Sequence, residues 1–458
     1  MLQTNPKKAL VIICMAAFLV PFTGSSINLA LPGIANRFSL NAITLTWIST
    51  AYLISTAILQ VPFARIADLF GRKRIFMLGV SIFSVSSILC GFSNSGMELI
   101  LFRITSGIGS AMLFCTNIAI LTSIFPANQR GKVLGINTVV VYLALASGPF
   151  LGGLFTQYLG WHSIFFFCGF IGLIVVGLSF FFLKGEWREA KGEKFDWIGS
   201  CIYGFSIFGI IFGFSKLPSA VGFIWLFFGI AGLLLFAFQE NRCTYPIFNL
   251  KAYRGNRVFI FSSLAALINY AATFAIVFMI SLYLQYIRGF NPRTAGFILI
   301  SQAVVQAVFS YFSGKYSDKI SPFKLATSGM MIIVCGITGL IFLTPTTSIG
   351  LLVVLLVLLG SGFGLFSSPN MNIIMSSVDK KQYGQASAST GTARLVGQSF
   401  SMGIATMAIF SQIENQKITP AIHSQFMTSM HITFVIFVIL CLLGVYCSTV
   451  SEKNKKKF

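Results

Sequence analysis

The stretch ARIADLFGRKR, Ala64–Arg74, joins two long apolar runs, and it has an echo in the second half of the chain, GKYSDKISP, Gly314–Pro322. Both begin at a small residue, reach an Asp four positions on where an apolar run ends (Asp68, Asp318), and then turn on basic residues. An echo of this kind marks a parallel internal repeat, two helical halves of like design with a substrate site at their interface. Each copy follows the second of six apolar runs, and a further pair of runs lies between the two sets.

Composition fixes the solvent of those runs. Hydrophobic residues make up 56% of the chain and charged residues only 9%, with a mean hydropathy of +0.85. A soluble domain carries about 25% charged residues. Apolar runs of about 20 residues match the ~30 Å hydrocarbon core of a bilayer as helices, which satisfy their backbone groups internally there. Hydropathy places fourteen spans, at 9–31, 43–63, 75–94, 97–121, 133–156, 161–183, 196–217, 220–239, 258–287, 293–313, 324–344, 348–376, 384–410 and 425–448. The expected fold class is therefore an all-α polytopic membrane protein. It has an N-terminal six-helix half over 1–185, a linker and two inserted helices over 186–257, and a C-terminal six-helix half over 258–458.

A net charge of +21 would suit a nucleic-acid partner. The distribution of the charge argues otherwise, because Lys and Arg in short loops set orientation in the membrane. With the N-terminus in the cytoplasm, only Arg37, Lys216, Arg288, Arg293 and Lys417 fall outside, and Arg103 and Arg394 lie within spans. Both termini are thus expected in the cytoplasm, at the cell membrane, with the lipid bilayer and not nucleic acid as the large partner. The nine cysteines are scattered without a CxxC pair and read as small packing residues. Lys7 and Lys8 precede the first run like a signal-peptide n-region, but no small-residue cleavage site ends that run, so it reads as an uncleaved helix.

Several stretches then carry a family resemblance. ADLFGRKR resembles motif A of the major facilitator superfamily; LILFRITSGIGSAM (Leu99–Met112) resembles its motif B, with Arg103 as the helix-4 arginine; ASGPFLGG (Ala146–Gly153) resembles motif C, which in that superfamily marks antiporters. GWHSIF, FDWIG, YLQYIRGFNPRTAG and ARLVGQSFSMGIA narrow the resemblance to its fourteen-helix drug:proton antiporter family. The chain departs from the pattern at Ala64 and Ala144, where glycines are usual, and at Thr23 in PFTGSSINLALP, where the family usually carries an acid nine residues before the Pro of ALP.

Candidate site residues follow from polar faces on apolar helices. A charge at mid-span costs about 2.5–3.5 kcal/mol on insertion scales, so Arg103 should face a polar interior. Ser106, Ser110 and Asn117 share its face. Ser387, Thr390, Arg394, Gln398 and Ser401 form a similar stripe on helix 13, and helix 10 carries Gln302, Gln306 and Ser310. By the resemblance these helices, with helix 1, line a central cavity. The expected cavity set is Thr23, Ser26, Asn28, Arg103, Ser110, Asn117, Gln302, Gln306, Asn370, Arg394 and Gln398. The competing reading is interhelical packing through polar side chains, about 1 kcal/mol or less per contact.

Asp68, Gly71, Arg72, Arg130 and Asp318 form an expected conformational latch at the cytoplasmic mouth, with Asp68 pairing to Arg130 or capping a neighbouring helix. Gly148, Pro149, Gly152 and Gly153 let helix 5 approach its neighbours closely and bend. The run GSGFGLFSSPN (Gly360–Asn370) reads as a weakened or interrupted helix 12. His431, alone in helix 14, reads as a packing residue.

None of the eleven acids lies mid-span. An exporter of cations needs a membrane carboxylate to bind either a proton or the cation, so neutral or anionic amphipathic small molecules are the expected substrates. The reading is a monomeric secondary transporter working by alternating access, with no metal and no cofactor and with the proton gradient as energy source, proton antiport being what the resemblance implies. An uptake symporter for an organic anion or metabolite is the alternative. A membrane enzyme would need clustered His, Asp, Glu or Cys, and the three histidines are well separated.

Overall fold

A computed structural model describes residues 5–190, 192–217, 219–248, 255–317, 320–378, 383–414 and 416–455. Fourteen long helices follow one another: α1 (Pro6–Phe38), α2 (Ala42–Phe70), α3 (Arg72–Gly91), α4 (Gly96–Ile124), α5 (Ala127–Tyr158), α6 (His162–Phe182), α7 (Trp197–Ser215), α8 (Ala220–Arg242), α9 (Arg257–Leu282), α10 (Pro292–Tyr316), α11 (Pro322–Ile341), α12 (Ile349–Ser376), α13 (Tyr383–Ile413) and α14 (His423–Lys455). A π-helical turn, Tyr283–Ile287, extends α9. There is no strand among the described residues.

Local chemistry sets the ends. The side chains of Asn5, Asn41, Ser95, Asn256 and Asn291 accept from backbone N–H groups in the first turns of α1, α2, α4, α9 and α10, which satisfies donors that a helix start leaves free. Pro6 and Pro292 follow their caps at the first helical position, where a missing N–H costs nothing. α1, α2, α5 and α14 run well past the spans expected from hydropathy, and the other helices stay close to theirs. Thirteen of the described helices are long and apolar enough to cross a membrane. α13 falls outside that set: Arg394, Gln398 and many Ser, Thr and Gly residues dilute it, and α2, α7, α9 and α14 surround it.

The helices pack as two sets of six with matching neighbours. In the first set α1 packs on α5 and α6, α2 on α4, and α3 on α4 and α6; in the second, α9 packs on α13 and α14, α10 on α12, and α11 on α12 and α14. The sets meet through α5 against α10, α2 against α13, and α1 against α9. α7 and α8 form a hairpin outside this arrangement. It is closed by glycines: a Cβ on Gly213 would lie 2.7 Å from Leu226 N, and one on Gly229 2.6 Å from Ile210 N. α7 packs Tyr203, Ile207 and Ile211 on Ile54, Ala57 and Val61 of α2 and on Leu395 and Val396 of α13. α8 turns Phe223, Phe227, Phe228 and Leu234 outward, as a lipid-facing helix would.

One expectation is corrected. Helix 12 is not interrupted: α12 runs continuously through Pro369. Its glycines serve close approach on two sides, since a Cβ on Gly362 would lie 2.7 Å from Gly329 O of α11 and one on Gly364 2.7 Å from Gln306 O of α10. The linker before α7 is also more than a spacer. It folds back on the α2–α3 turn, where Arg72 N donates to Trp187 O at 3.0 Å and Ala190 N to Asp68 O at 3.1 Å.

Candidate functional site

Between the two sets lies a cavity of about 1170 Å³. Its wall is built from α1 (Ala17, Val20), α4 (Phe114, Asn117), α5 (Leu134, Asn137, Thr138, Tyr142), α9 (Ala266, Tyr270), α10 (Ser310, Tyr311, Lys315), α12 (Phe366, Asn370, Asn372) and α13 (Thr390, Arg394). All of these lie in the half of their helix nearer the face that carries both chain ends, and Gly314, Lys315, Asn372 and Met375 rim the mouth on that face.

The opposite face is sealed by contacts between the two sets. Ala42 N donates to Gln416 O at 3.0 Å, Ser281 Oγ to Asn28 O at 2.7 Å, and Arg293 Nη1 to Tyr158 Oη at 2.7 Å. Phe150 and Phe297 pack edge to face with centroids 5.1 Å apart. At the α5–α10 crossing a Cβ on Gly153 would sit 2.5 Å from Pro292 O, and one on Gly296 2.5 Å from Pro149 O. Only glycine permits that approach.

The wall is aromatic and amide-rich, and among the described residues it contains no Asp or Glu. Among the described residues its one cation away from the mouth is Arg394, whose guanidinium carbon lies 5.1 Å from the Phe114 ring centroid and whose charge acts on the Tyr270 hydroxyl. Asn117 and Asn137 each keep a buried side-chain carbonyl oxygen without a partner among the described residues. Buried amides are normally bonded, so these are positioned to receive hydrogen bonds from a ligand. Asn370 is partly committed, its Nδ2 donating to Ser262 O at 3.2 Å.

Of the residues expected here from sequence, Asn117, Asn370 and Arg394 are on the wall, with Ser310 and Thr390 from the same stripes. The α1 residues are not. Thr23, Ser25 and Ser26 donate to Leu19 O (2.8 Å), Pro21 O (2.9 Å) and Phe22 O (2.7 Å) one turn back. Thr23 also meets Cys168 Sγ at 3.0 Å, and a Cβ on Gly152 would lie 2.7 Å from Ser26 Cβ. The α5 glycines thus face α1 (Gly148, Gly152) and α10 (Gly153), and the hydroxyls of PFTGSSINLALP are self-satisfied packing groups in the first of those contacts. Asn28 is 5% exposed with its carbonyl taken by Ser281.

Arg103 is not on the wall either. It is buried between α4 and α2, with Nε donating to Ile48 O at 3.1 Å and the guanidinium 4.0 Å from the Tyr52 ring centroid. Ser110 bonds Tyr52 Oη at 2.7 Å. Gln302 is buried at the α10–α12 contact, where a Cβ on Gly360 would strike its carbonyl oxygen. Gln306 and Gln398 are half-buried and off the wall. His431 bonds Leu343 O at 2.9 Å, a packing contact. Asn137, Thr138, Tyr142 and Tyr270 were not anticipated. Leu134, Thr138, Val141 and Tyr142 share one helical face of α5, a periodicity visible in the sequence, whereas the α5 glycines lie on its packing faces.

At the α2–α3 turn Arg72 is the hub. Its Nε and Nη2 reach Asp68 Oδ1, both at 2.8 Å. Its Nη1 reaches Glu189 Oε1 and Ser123 Oγ, both at 2.7 Å. Arg65 pairs with Glu193, Arg74 with Glu186 at 3.6 Å, and Lys73 N donates to Glu186 at 2.9 Å. Gly71 takes φ +124°, with no room for a Cβ beside Glu186. Asp68 pairs with Arg72 of its own turn, four positions away. Asp318 and the side chain of Arg130 lie outside the described residues.

Residues 13–402 match the Major Facilitator Superfamily. The chain belongs to that superfamily. Among its relatives, the riboflavin transporter RibZ of Clostridioides difficile is 30% identical over 414 residues, 89% of each chain. The multidrug resistance protein Stp of Mycobacterium tuberculosis is 26% identical over 396 residues, 85% of this chain and 73% of that protein. The tetracenomycin C resistance and export protein of Streptomyces glaucescens is 24% identical over 422 residues, 90% of this chain and 77% of that one. A bacterial homologue of the human lysosomal transporter Spinster, inward-facing and unoccupied, shares the fold with a TM-score of 0.71 at 17% identity over 99% of this chain and 98% of its own. The protein is a membrane transporter of the major facilitator superfamily and not an enzyme.

Proposed function

We propose that this transporter exports amphipathic small molecules, neutral or anionic rather than cationic, across the cell membrane, as a member of the fourteen-helix drug:proton antiporter family. The observation that carries the substrate class is the cavity wall: aromatic rings and amides around Arg394, with no carboxylate among the described residues. A lipophilic cation gains ring contacts there but meets a fixed positive charge without a counter-charge. A neutral or anionic amphiphile gains both the rings and the Arg394 and amide donors. Relatives that are multidrug resistance and export proteins support the direction.

Alternating access supplies the mechanism: a cavity open on one face and closed on the other becomes its mirror when the six-helix sets rock about the site. Both termini are cytoplasmic on this reading, so the cavity faces the cytoplasm. The working unit is a monomer without cofactor, driven by the proton gradient, and the proton is carried by Asp68 or by an acidic group of the substrate.

The second reading is uptake of an organic anion or aromatic metabolite. It is favoured by the 30% identity to a protein named as a riboflavin transporter, whose flat ring system and polar chain would suit an aromatic, amide-rich wall. One experiment orders these readings. Purified transporter is unfolded thermally with matched cationic, neutral and anionic amphiphiles and with riboflavin, and bound ligand raises Tm. Stabilisation by neutral and anionic compounds is expected, and stabilisation by the cations alone would overturn the substrate class. Counterflow in vesicles under pH gradients of either sign then separates export from uptake.

A further inference from the structure

Arg103 leaves a charge unbalanced. It is 1% exposed, its Nη1 has no hydrogen-bond partner among the described residues, and the ionisable groups that act on it are Tyr52, Cys90 and Cys168. A phenol and two thiols are neutral at pH 7. An arginine cannot shed its proton to escape burial, and a buried ion without a partner is strongly unfavourable. The Tyr52 ring offsets part of that, and the Ile48 carbonyl satisfies Nε alone.

Two more buried hydroxyls on these helices, Ser106 Oγ of α4 and Ser49 Oγ of α2, have no partner among the described residues. Ser106 is one turn from Arg103 on the same face of α4, and Ser49 falls on α2 between Ile48 and Tyr52, the two residues that hold the guanidinium. Arg103 Nη1 and these two hydroxyls, all buried at the same level of α2 and α4, are donors without an acceptor among the described residues.

We propose that this position binds a small inorganic anion of the chloride class, held by Arg103 Nη1 and the Ser106 and Ser49 hydroxyls. One guanidinium matches one negative charge, and the closeness of α2 and α4 favours a monatomic or planar ion over a bulky oxyanion or an organic acid. The site is distinct from the substrate cavity, whose wall contains none of these residues, and it stands independently of the direction and substrate of transport.

The test is thermal unfolding of the purified full-length transporter in potassium gluconate, with chloride, bromide or nitrate replacing gluconate at constant ionic strength. A saturable rise in Tm on the order of 2–5 °C is expected with the small anions and none with sulfate. Arg103→Met removes the rise and Arg103→Lys restores part of it. Ser106→Ala and Ser49→Ala, which delete only a hydroxyl, raise the half-saturating bromide concentration several-fold, and they carry the test if Arg103→Met does not fold. Arg394→Ala leaves the anion response intact. An identical Tm in all salts for the unaltered protein, an undiminished response in Arg103→Met, or half-saturation unchanged by both serine variants would overturn the proposal.

Discussion

Arg394 stands among the rings of the cavity, 5.1 Å from the Phe114 centroid and with its charge acting on Tyr270. A hydrogen bond to a charged group contributes about 1.5–3 kcal/mol, so Arg394→Ala should weaken binding of an anionic amphiphile roughly tenfold to a hundredfold and binding of a neutral analogue far less. Calorimetric titration of a matched pair measures this, and equal losses for both would mean that Arg394 shapes the wall without reading charge. Asn117, Asn370 and Arg394 were legible in the sequence because each is a costly group on an apolar helix that repeats a polar face. Thr23, Ser26 and Asn28 looked the same and are not on the wall. A hydroxyl that bonds the carbonyl four residues back satisfies itself, so nothing in its spacing distinguishes a packing face from a cavity face. Arg103 shows the converse: its cost is legible, but its place, against Tyr52 within one six-helix set, is decided by tertiary packing.

At the scale of elements, the α5–α10 crossing and the linker clasp make separate predictions. Gly153 and Gly296 meet backbone to backbone, with a Cβ on either one 2.5 Å from a carbonyl oxygen. Gly153→Val cannot be accommodated by moving a flexible side chain, so it should push the sealed face apart. Distances between spin labels on the far ends of α5 and α10 should lengthen, transport should fall to background, and an unchanged distance distribution would show the crossing to be plastic. The clasp is softer. Glu189 is exposed and its pair with Arg72 is screened by salt, so Glu189→Gln alone should shift Tm by about a degree or less. Replacing Glu186, Glu189 and Glu193 together should free the linker, read as faster proteolysis between α6 and α7. The helices themselves were legible through hydropathy and caps, and the α2–α3 turn through its echo. The folding back of the linker was not, since charges on a connector carry no period to say what they face.

For the whole molecule, the decisive claim is that the two sets of six move against each other around the cavity. The matched packing within each set, α1 with α5 and α9 with α13, α3 with α6 and α11 with α14, makes each set a body that can rock as a unit. The sets meet through α5 against α10, α2 against α13 and α1 against α9, with hydrogen bonds and a ring contact between them on the sealed face. Ala42, at the start of α2, and Gln416, just after α13, belong to opposite sets and share a backbone hydrogen bond of 3.0 Å. A backbone hydrogen bond of that length brings the two residues close enough for a disulfide to be tried between them. In a background without the nine native thiols, all of them free, Ala42→Cys with Gln416→Cys should cross-link on mild oxidation while the sealed face is closed. The linked protein should still bind substrate from the cavity side, since the wall is untouched, but should complete no transport cycle until the bond is reduced. Full transport with the disulfide intact would mean that the sealed face never opens, and the two sets would then have to work by some route other than rocking.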